Sequence, residues 1–255
     1  MFRVVIPARF GSARLPGKPL EKLNGKPLVQ WAHEIAARSG AADVVIATDD
    51  ERIVEAAAGF GVTARMTSLT HLSGTDRSAE VALESGWHED DVVVNLQVDD
   101  PLMPPALLTQ VAQLLEAHAD AAVATLATRI LSVRELLDPN VVKVVTDRDG
   151  RALYFSRAPI PWGRDTAPAG IVSQRGFQGA RRHVGLYAYR VSALRRLSLL
   201  PPTPLELLEK LEQLRALEYG LHIRVADAAA SPGPDVNTLE DLARASLLLK
   251  SAEMN

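Results

Sequence analysis

Between residue 3 and about residue 128 the chain alternates short apolar runs with longer segments of helical period, and that alternation leaves few folds open. Val4–Ile6, Val44–Thr48, Thr63–Met66, Val92–Leu96 and Ala122–Leu126 read as buried strands. Pro27–Arg38, Glu51–Ala58, Asp76–Ser85 and Pro104–Ala117 read as helices between them, several with Pro or an acidic residue in the first turn. Such βαβ units build an α/β fold around a mostly parallel sheet. Right-handed crossovers put the strand C-terminal ends on one edge, where ligands of open α/β sheets bind. Arg9–Lys18, Thr48-Asp49-Asp50 and Gln97-Val98-Asp99-Asp100 follow the first, second and fourth strands, so the three segments are expected to converge. Pro7 is expected to end the first strand, because it lacks a backbone donor.

The loop after that strand holds Arg9, Arg14 and Lys18 on backbone loosened by Gly11, Ser12 and Gly17, which suits a polyphosphate. The slightly acidic balance offers no overall field for anions, so any affinity for phosphates is expected from a local cluster such as this loop. The net charge is −3, with 47% hydrophobic and 23% charged residues, so a globular core is affordable and a nucleic-acid duplex is not the expected partner. The absence of cysteine excludes disulfides and thiolate metal sites. No apolar run approaches the roughly 20 residues of a membrane span, so no stable membrane association is expected. The opening Met1-Phe2-Arg3 enters a strand with no secretory pattern, so a cytoplasmic location is expected.

Beyond residue 128 the texture changes. Val141–Thr146 and Arg151–Ser156, joined by Asp147-Arg148-Asp149-Gly150, read as a hairpin with which Val184–Tyr189 is expected to pair. Residues 161–182 read as a long loop. An amphipathic helix at Pro204–Leu217, a strand near Leu221–Val225 and a helix from about Thr238 to Lys250 complete the chain.

The stretch V-V-I-P-A-R-F-G-S-A-R-L-P-G-K-P-L resembles the opening of the nucleotide-sugar cytidylyltransferases, most closely those that use 3-deoxy-manno-octulosonate (Kdo). The resemblance continues through Ser73-Gly74-Thr75-Asp76-Arg77, Asn95–Pro101, Asn140–Val145, Ala152–Arg157, Arg182–Tyr187, Pro204-Leu205-Glu206 and Leu211–Arg215, almost the whole chain. It implies the nucleotide-diphospho-sugar transferase fold, a mostly parallel mixed sheet flanked by helices with a β-rich dimerisation subdomain. Residues 1–255 would be a single domain: 1–128 for the nucleotide, 129–220 for sugar and dimer, and a C-terminal strand and helix returning to the core. The implied activity joins CTP and Kdo to give CMP-Kdo and pyrophosphate for lipopolysaccharide biosynthesis, with Mg2+ as cofactor and a homodimer as the assembly. The alternatives are the same reaction on a modified acid sugar such as 8-amino-Kdo, or a non-catalytic CTP-binding homologue.

By the same resemblance Arg9, Lys18 and Asp99 would be catalytic, and Arg9, Arg14, Lys18, Ser73, Gly74, Arg77 and Asp99 would bind the nucleotide. Gln97, Arg157, Arg164, His183, Tyr187, Glu212 and Gln213 would bind the sugar. Plainer readings stand beside these: Ser73 as a helix cap, His183 as a packed side chain, Glu212 on a solvated stripe. The family reads Q-G-D-E-P where this chain has Gln97-Val98-Asp99-Asp100-Pro101, so Val98 replaces a glycine and Asp100 a glutamate. It also reads G-V-D-T where this chain has Asp235-Val236-Asn237-Thr238, so Asn237 stands at a metal-binding aspartate. Asp99 and Asn237 are therefore the implied metal ligands, with Asp235 as a possible substitute and helix capping as the other reading of Asn237.

Overall fold

The computed structural model describes residues 1–11, 15–71 and 73–253. In chain order come β1 (Phe2–Ala8), β2 (Lys22–Leu23), β3 (Lys26–Pro27), α1 (Leu28–Ala37), β4 (Val44–Thr48), α2 (Glu51–Gly59), β5 (Ala64–Met66), α3 (Gly74–Glu84), β6 (Val92–Asn95), α4 (Pro105–Glu116) and β7 (Val123–Arg129). Then follow α5 (Val133–Leu137), β8 (Lys143–Thr146), β9 (Ala152–Ser156), β10 (Arg181–Arg190), α6 (Val191–Leu199), α7 (Pro204–Glu209), α8 (Gln213–Glu218), β11 (Ile223–Asp227) and α9 (Leu239–Glu253).

The main sheet runs β11-β7-β10-β6-β1-β4-β5, with β8 and β9 attached through β10. β1 is central and parallel to both β4 and β6, whereas β10 enters antiparallel between β6 and β7. Both faces are buried, which is why the strands are apolar at successive positions. Val4 and Ile6 pack with α1 and α4, for example Leu28, Ile35, Leu107 and Leu108. Val5, pointing to the other face, packs with Ala79 and Val81 of α3 and Leu194 of α6. Burial of each such Val, Ile or Leu side chain contributes roughly 1.5–3 kcal/mol.

Three expectations change. β1 continues through Pro7 to Ala8 instead of ending there. Val4 donates to Asp43 on the β4 side, so alternation turns Pro7 toward β6, where pairing has ended at Val5–Asn95 and no donor is needed. The segment near Val184 does not simply extend the hairpin: only Arg181 and Arg182 pair with β8, and Tyr187–Arg190 pair with β6. The apolar side chains Val184, Leu186 and Ala188 are buried in the main core, which draws the strand inward. Finally, Pro204–Leu217 is two helices, broken at Lys210 with φ 54°. The carbonyl of Glu209 accepts from Arg157 Nε at 2.7 Å, which closes α7 there. In the 161–182 loop the backbone makes 3-10 turns at Arg164–Thr166 and Ile171–Ser173. Among the described residues no helix is long and apolar enough to cross a membrane.

Candidate active site at the sheet edge

The segments after β1, β4 and β6 do converge. Asp49, after β4, accepts the backbone N–H of Phe10, after β1, at 3.3 Å and Arg77 Nη2 of α3 at 2.8 Å. Arg77 also donates to Thr67, and its side chain is 3% exposed. A cavity of about 310 Å³ opens here, lined by Pro7, Arg9, His71, Ser73, Gly74, Arg77, Gln97 and Glu212. Of the expected nucleotide residues it collects Arg9, Ser73, Gly74 and Arg77, together with Gln97 and Glu212 from the expected sugar set. Arg14 lies outside the described residues.

Ser73 does cap α3, in a capping box with Asp76, yet it also reaches across the cavity. Its Oγ accepts from Asp76 N at 3.1 Å and donates to Glu212 Oε1 at 2.9 Å. The positive end of α3 therefore faces the cavity and favours anions. At Gly74 an added Cβ would stand 3.2 Å from the Pro7 ring and 3.4 Å from Gln97 Nε2, so the close approach of α3 to both strand ends needs glycine. Gln97 Nε2 donates to Asn95 Oδ1 at 2.9 Å, which fixes its amide at the strand tip. Burial pushes the Glu212 carboxyl up, against the lowering effect of the Ser73 and Thr75 hydroxyls.

Two residues beyond Gln97 lies the cationic end. Lys18 Nζ donates to Asp99 Oδ2 at 2.7 Å and to Asn237 Oδ1 at 3.0 Å. Gly17 delivers that lysine: its φ is +69°, and a Cβ would meet the Phe10 ring at 3.1 Å. The C-terminal segment is tied down by Val236 N donating to Asp99 O at 2.8 Å. At the start of α9 Thr238 Oγ1 accepts from Asp241 N at 3.1 Å, one residue after Asn237. Two hard oxygen donors thus converge on one cation, a donor set that fits Mg2+ when phosphate oxygens and water complete its shell. Among the described residues no group of three or more carboxylate or imidazole side chains is arranged to hold a metal without such help.

The departures from the family motif also find places. Val98 is buried in the main core and is not among the positive-φ residues, so no glycine conformation is demanded there. Asp100 is buried beside Asp235, and burial together with the charges of Asp99 and Asp235 pushes its carboxyl well up. Asp235 is raised too, first by burial and then by Asp99.

The remaining sugar candidates divide. The His183 and Tyr187 rings lie 5.2 Å apart, and Tyr187 shares a small internal space with Thr75, Glu212 and Gln213. Burial pushes the Tyr187 phenol well up. Arg157 is committed elsewhere, donating to Glu209 O and, at 2.9 Å, to Pro139 O. Arg164 sits on its 3-10 turn and, like Arg157, does not line the cavity. Sequence reasoning missed His71, which lines the cavity, and Thr125, which bonds His183 at 3.0 Å. Neither stands in a motif, and a lone threonine inside an apolar run gives no signal.

A family model described as "Cytidylyltransferase" matches residues 3–223. The 3-deoxy-manno-octulosonate cytidylyltransferase of Thioalkalivibrio sulfidiphilus is 54% identical over 250 residues, 98% of this chain and 99% of that protein. The enzyme of the same name from Methylococcus capsulatus is 52% identical over 244 residues, 96% and 95% of the two chains. A solved structure of CMP:2-keto-3-deoxy-manno-octonic acid synthetase complexed with CTP superposes with a TM-score of 0.86 at 40% identity, covering 99% of this chain and all of that one.

Proposed function

This chain belongs to the cytidylyltransferase family, and from that premise we propose that it joins CTP and Kdo to give CMP-Kdo and pyrophosphate, for lipopolysaccharide biosynthesis. The observation that carries the reading is Lys18 Nζ held between Asp99 Oδ2 and Asn237 Oδ1, beside a cavity bearing Arg9 and the N-terminus of α3. In the reaction the anomeric hydroxyl oxygen bonds to the α-phosphorus, the bond from that phosphorus to the β-phosphate bridging oxygen breaks, and the hydroxyl proton is given up. Charge accumulates on the departing pyrophosphate, so cations placed there stabilise the transition state more than the ground state.

Arg9 and Lys18 supply those cations, and the α3 amides add fixed partial charge. Asp99 and Asn237 would hold Mg2+, which supplies Lewis-acid polarisation of the phosphates when bound. Gln97 and Glu212 face the cavity and offer hydrogen bonds to sugar hydroxyls; Tyr187 and Gln213 share a small internal space with Glu212, and the His183 ring packs 5.2 Å from that of Tyr187. Arg14, Arg157 and Arg164 keep their assignment from family resemblance, as further nucleotide and sugar contacts. A homodimer formed through the β8–β9 ribbon and a cytoplasmic location belong to the same reading. What supports a β9 interface is an outer strand carrying Leu153 at 61% exposure.

The test is pyrophosphate release from CTP with Kdo at saturating Mg2+. Turnover with Kdo, and much less with ATP in place of CTP, is the expected result. CTP binding without release under those conditions would mean a nucleotide-binding protein and would overturn the proposal.

A further inference from the structure

β10 and β7 lose register midway. Val184 faces Leu126 and Tyr187 faces Thr125, so Gly185 and Leu186 are extra on β10 and form a bulge. Thr125, fully buried, fills the space under it. Its Oγ1 lies 3.0 Å from Val184 O, 2.8 Å from Leu186 O and 3.0 Å from His183 Nε2.

A hydroxyl has one proton to give. The two carbonyls can only accept, so that proton serves them. The third contact is then a hydrogen bond only if Nε2 carries hydrogen and donates to Oγ1. A ring protonated on Nε2 and neutral overall presents Nδ1 as an acceptor, and among the described residues Nδ1 has no hydrogen-bond partner. Phe155 meets the His183 ring edge-on at 5.1 Å and Tyr187 lies at 5.2 Å, so the ring is held from two sides. Burial pushes the His183 pKa down to about 3, with the Arg182 cation acting the same way, so the ring stays neutral near pH 7.

We propose that Thr125 is a positioning residue for the sugar half of the reaction, holding His183 as the Nε2-protonated tautomer so that Nδ1 accepts a hydrogen bond from a sugar hydroxyl. This rests on the assignment of the sugar to the His183 side of the site made above. A neutral acceptor selects a hydroxyl, whereas a cationic histidine would select the sugar's carboxylate. The bulge thus does more than bend a strand.

The experiment uses the full chain with 15N-labelled histidine. Long-range 1H–15N correlation of the wild type should show His183 protonated on Nε2 and bare on Nδ1, unchanged between about pH 8 and about pH 5. In Thr125→Val the fixed tautomer should be lost, and KM for Kdo should rise about tenfold, the size of one neutral hydrogen bond, while KM for CTP stays within about twofold. Thr125→Ser, which keeps the hydroxyl, should restore both. A merely structural role for Thr125 would shift both KM values together and leave the tautomer unlinked to them. A wild-type spectrum with the proton on Nδ1 overturns the proposal and needs no variant to fold. So does a Thr125→Val protein with scrambled tautomer and unchanged KM for Kdo. Absence of turnover with Kdo in the wild type would instead remove the functional reading, leaving the spectrum to stand separately.

Discussion

Ser73 Oγ donates to Glu212 Oε1 at 2.9 Å, across 139 residues of sequence. The bond joins the start of α3 to the start of α8 and puts a carboxylate on the wall of the cavity.

Burial raises the Glu212 carboxyl, so the folded state holds its proton more tightly than the unfolded chain. A raised carboxylate weakens the fold above its folded pKa, and the penalty fades as pH falls below the ordinary value of 4.5. Glu212→Gln should therefore raise Tm at pH near 8 and lose that advantage near pH 4. The same change should lower kcat/KM for the sugar by about tenfold or more, because a charged acceptor is lost. Calorimetry across pH and steady-state kinetics with each substrate check the two halves.

Asp99→Asn removes the only full charge of the Asp99–Asn237 donor pair. Turnover should fall on the order of a hundredfold or more, since changes merely adjacent to a metal ligand already cost 10–100-fold. CTP binding, measured by calorimetry without metal, should persist. Conversely, Asn237→Asp adds a carboxylate where an amide now accepts from Lys18. Half-maximal activity should then require less Mg2+; an unchanged Mg2+ titration would show that residue 237 is no ligand.

Family resemblance places Arg77 among the nucleotide-binding residues, and in the structure its guanidinium is bonded to Asp49 and Thr67. Arg77→Met should destabilise the fold by about 3 kcal/mol, because it empties the buried guanidinium site and strands the half-buried Asp49, as read by urea denaturation. Arg77→Met with Asp49→Asn should recover part of that loss. Recovery of stability without recovery of CTP affinity would separate the framework role from a nucleotide contact.

Glu206 is buried, which alone would raise its carboxyl, yet the bonds from Arg215 outweigh burial and leave it below its ordinary value of 4.5. Arg215 reaches it twice, at 2.8 Å and 2.5 Å. A depressed carboxylate stabilises above the unfolded pKa, and that stability is lost as pH falls through the folded one. Wild-type stability should drop below about pH 4.5, and Glu206→Gln should be less stable at neutral pH but flatter through the acid range. Denaturation midpoints at several pH values check the crossing of the two curves.

The α/β half could be read directly because its strands are buried on both faces, so Val4, Val5 and Ile6 needed no partner to declare themselves. Ser73-Gly74-Thr75-Asp76 likewise held its capping function locally, within one helical turn. What escaped was non-local. The insertion of β10 between β6 and β7 depends on which core buries Leu186, and the helix break at Lys210 depends on Arg157 taking the Glu209 carbonyl. A lysine at φ 54° carries no glycine to announce it. Asn237 reads equally as a cap or a ligand in the sequence, and it takes the fold to show its amide oxygen accepting from Lys18 while Thr238 caps α9.

Lys18, Asp99 and Asn237 come from the beginning, middle and end of the chain, with Val236 anchored to Asp99. A ribosome that has exposed only the first two hundred or so residues holds a chain with the basic loop of Lys18 but without the amide oxygen that shares this lysine. Proteolytic clipping ahead of Val236 would return the molecule to that unfinished condition. On the proposed reading, competence waits for a segment 219 positions beyond the lysine it completes, and a trimmed copy should compete for CTP without converting it.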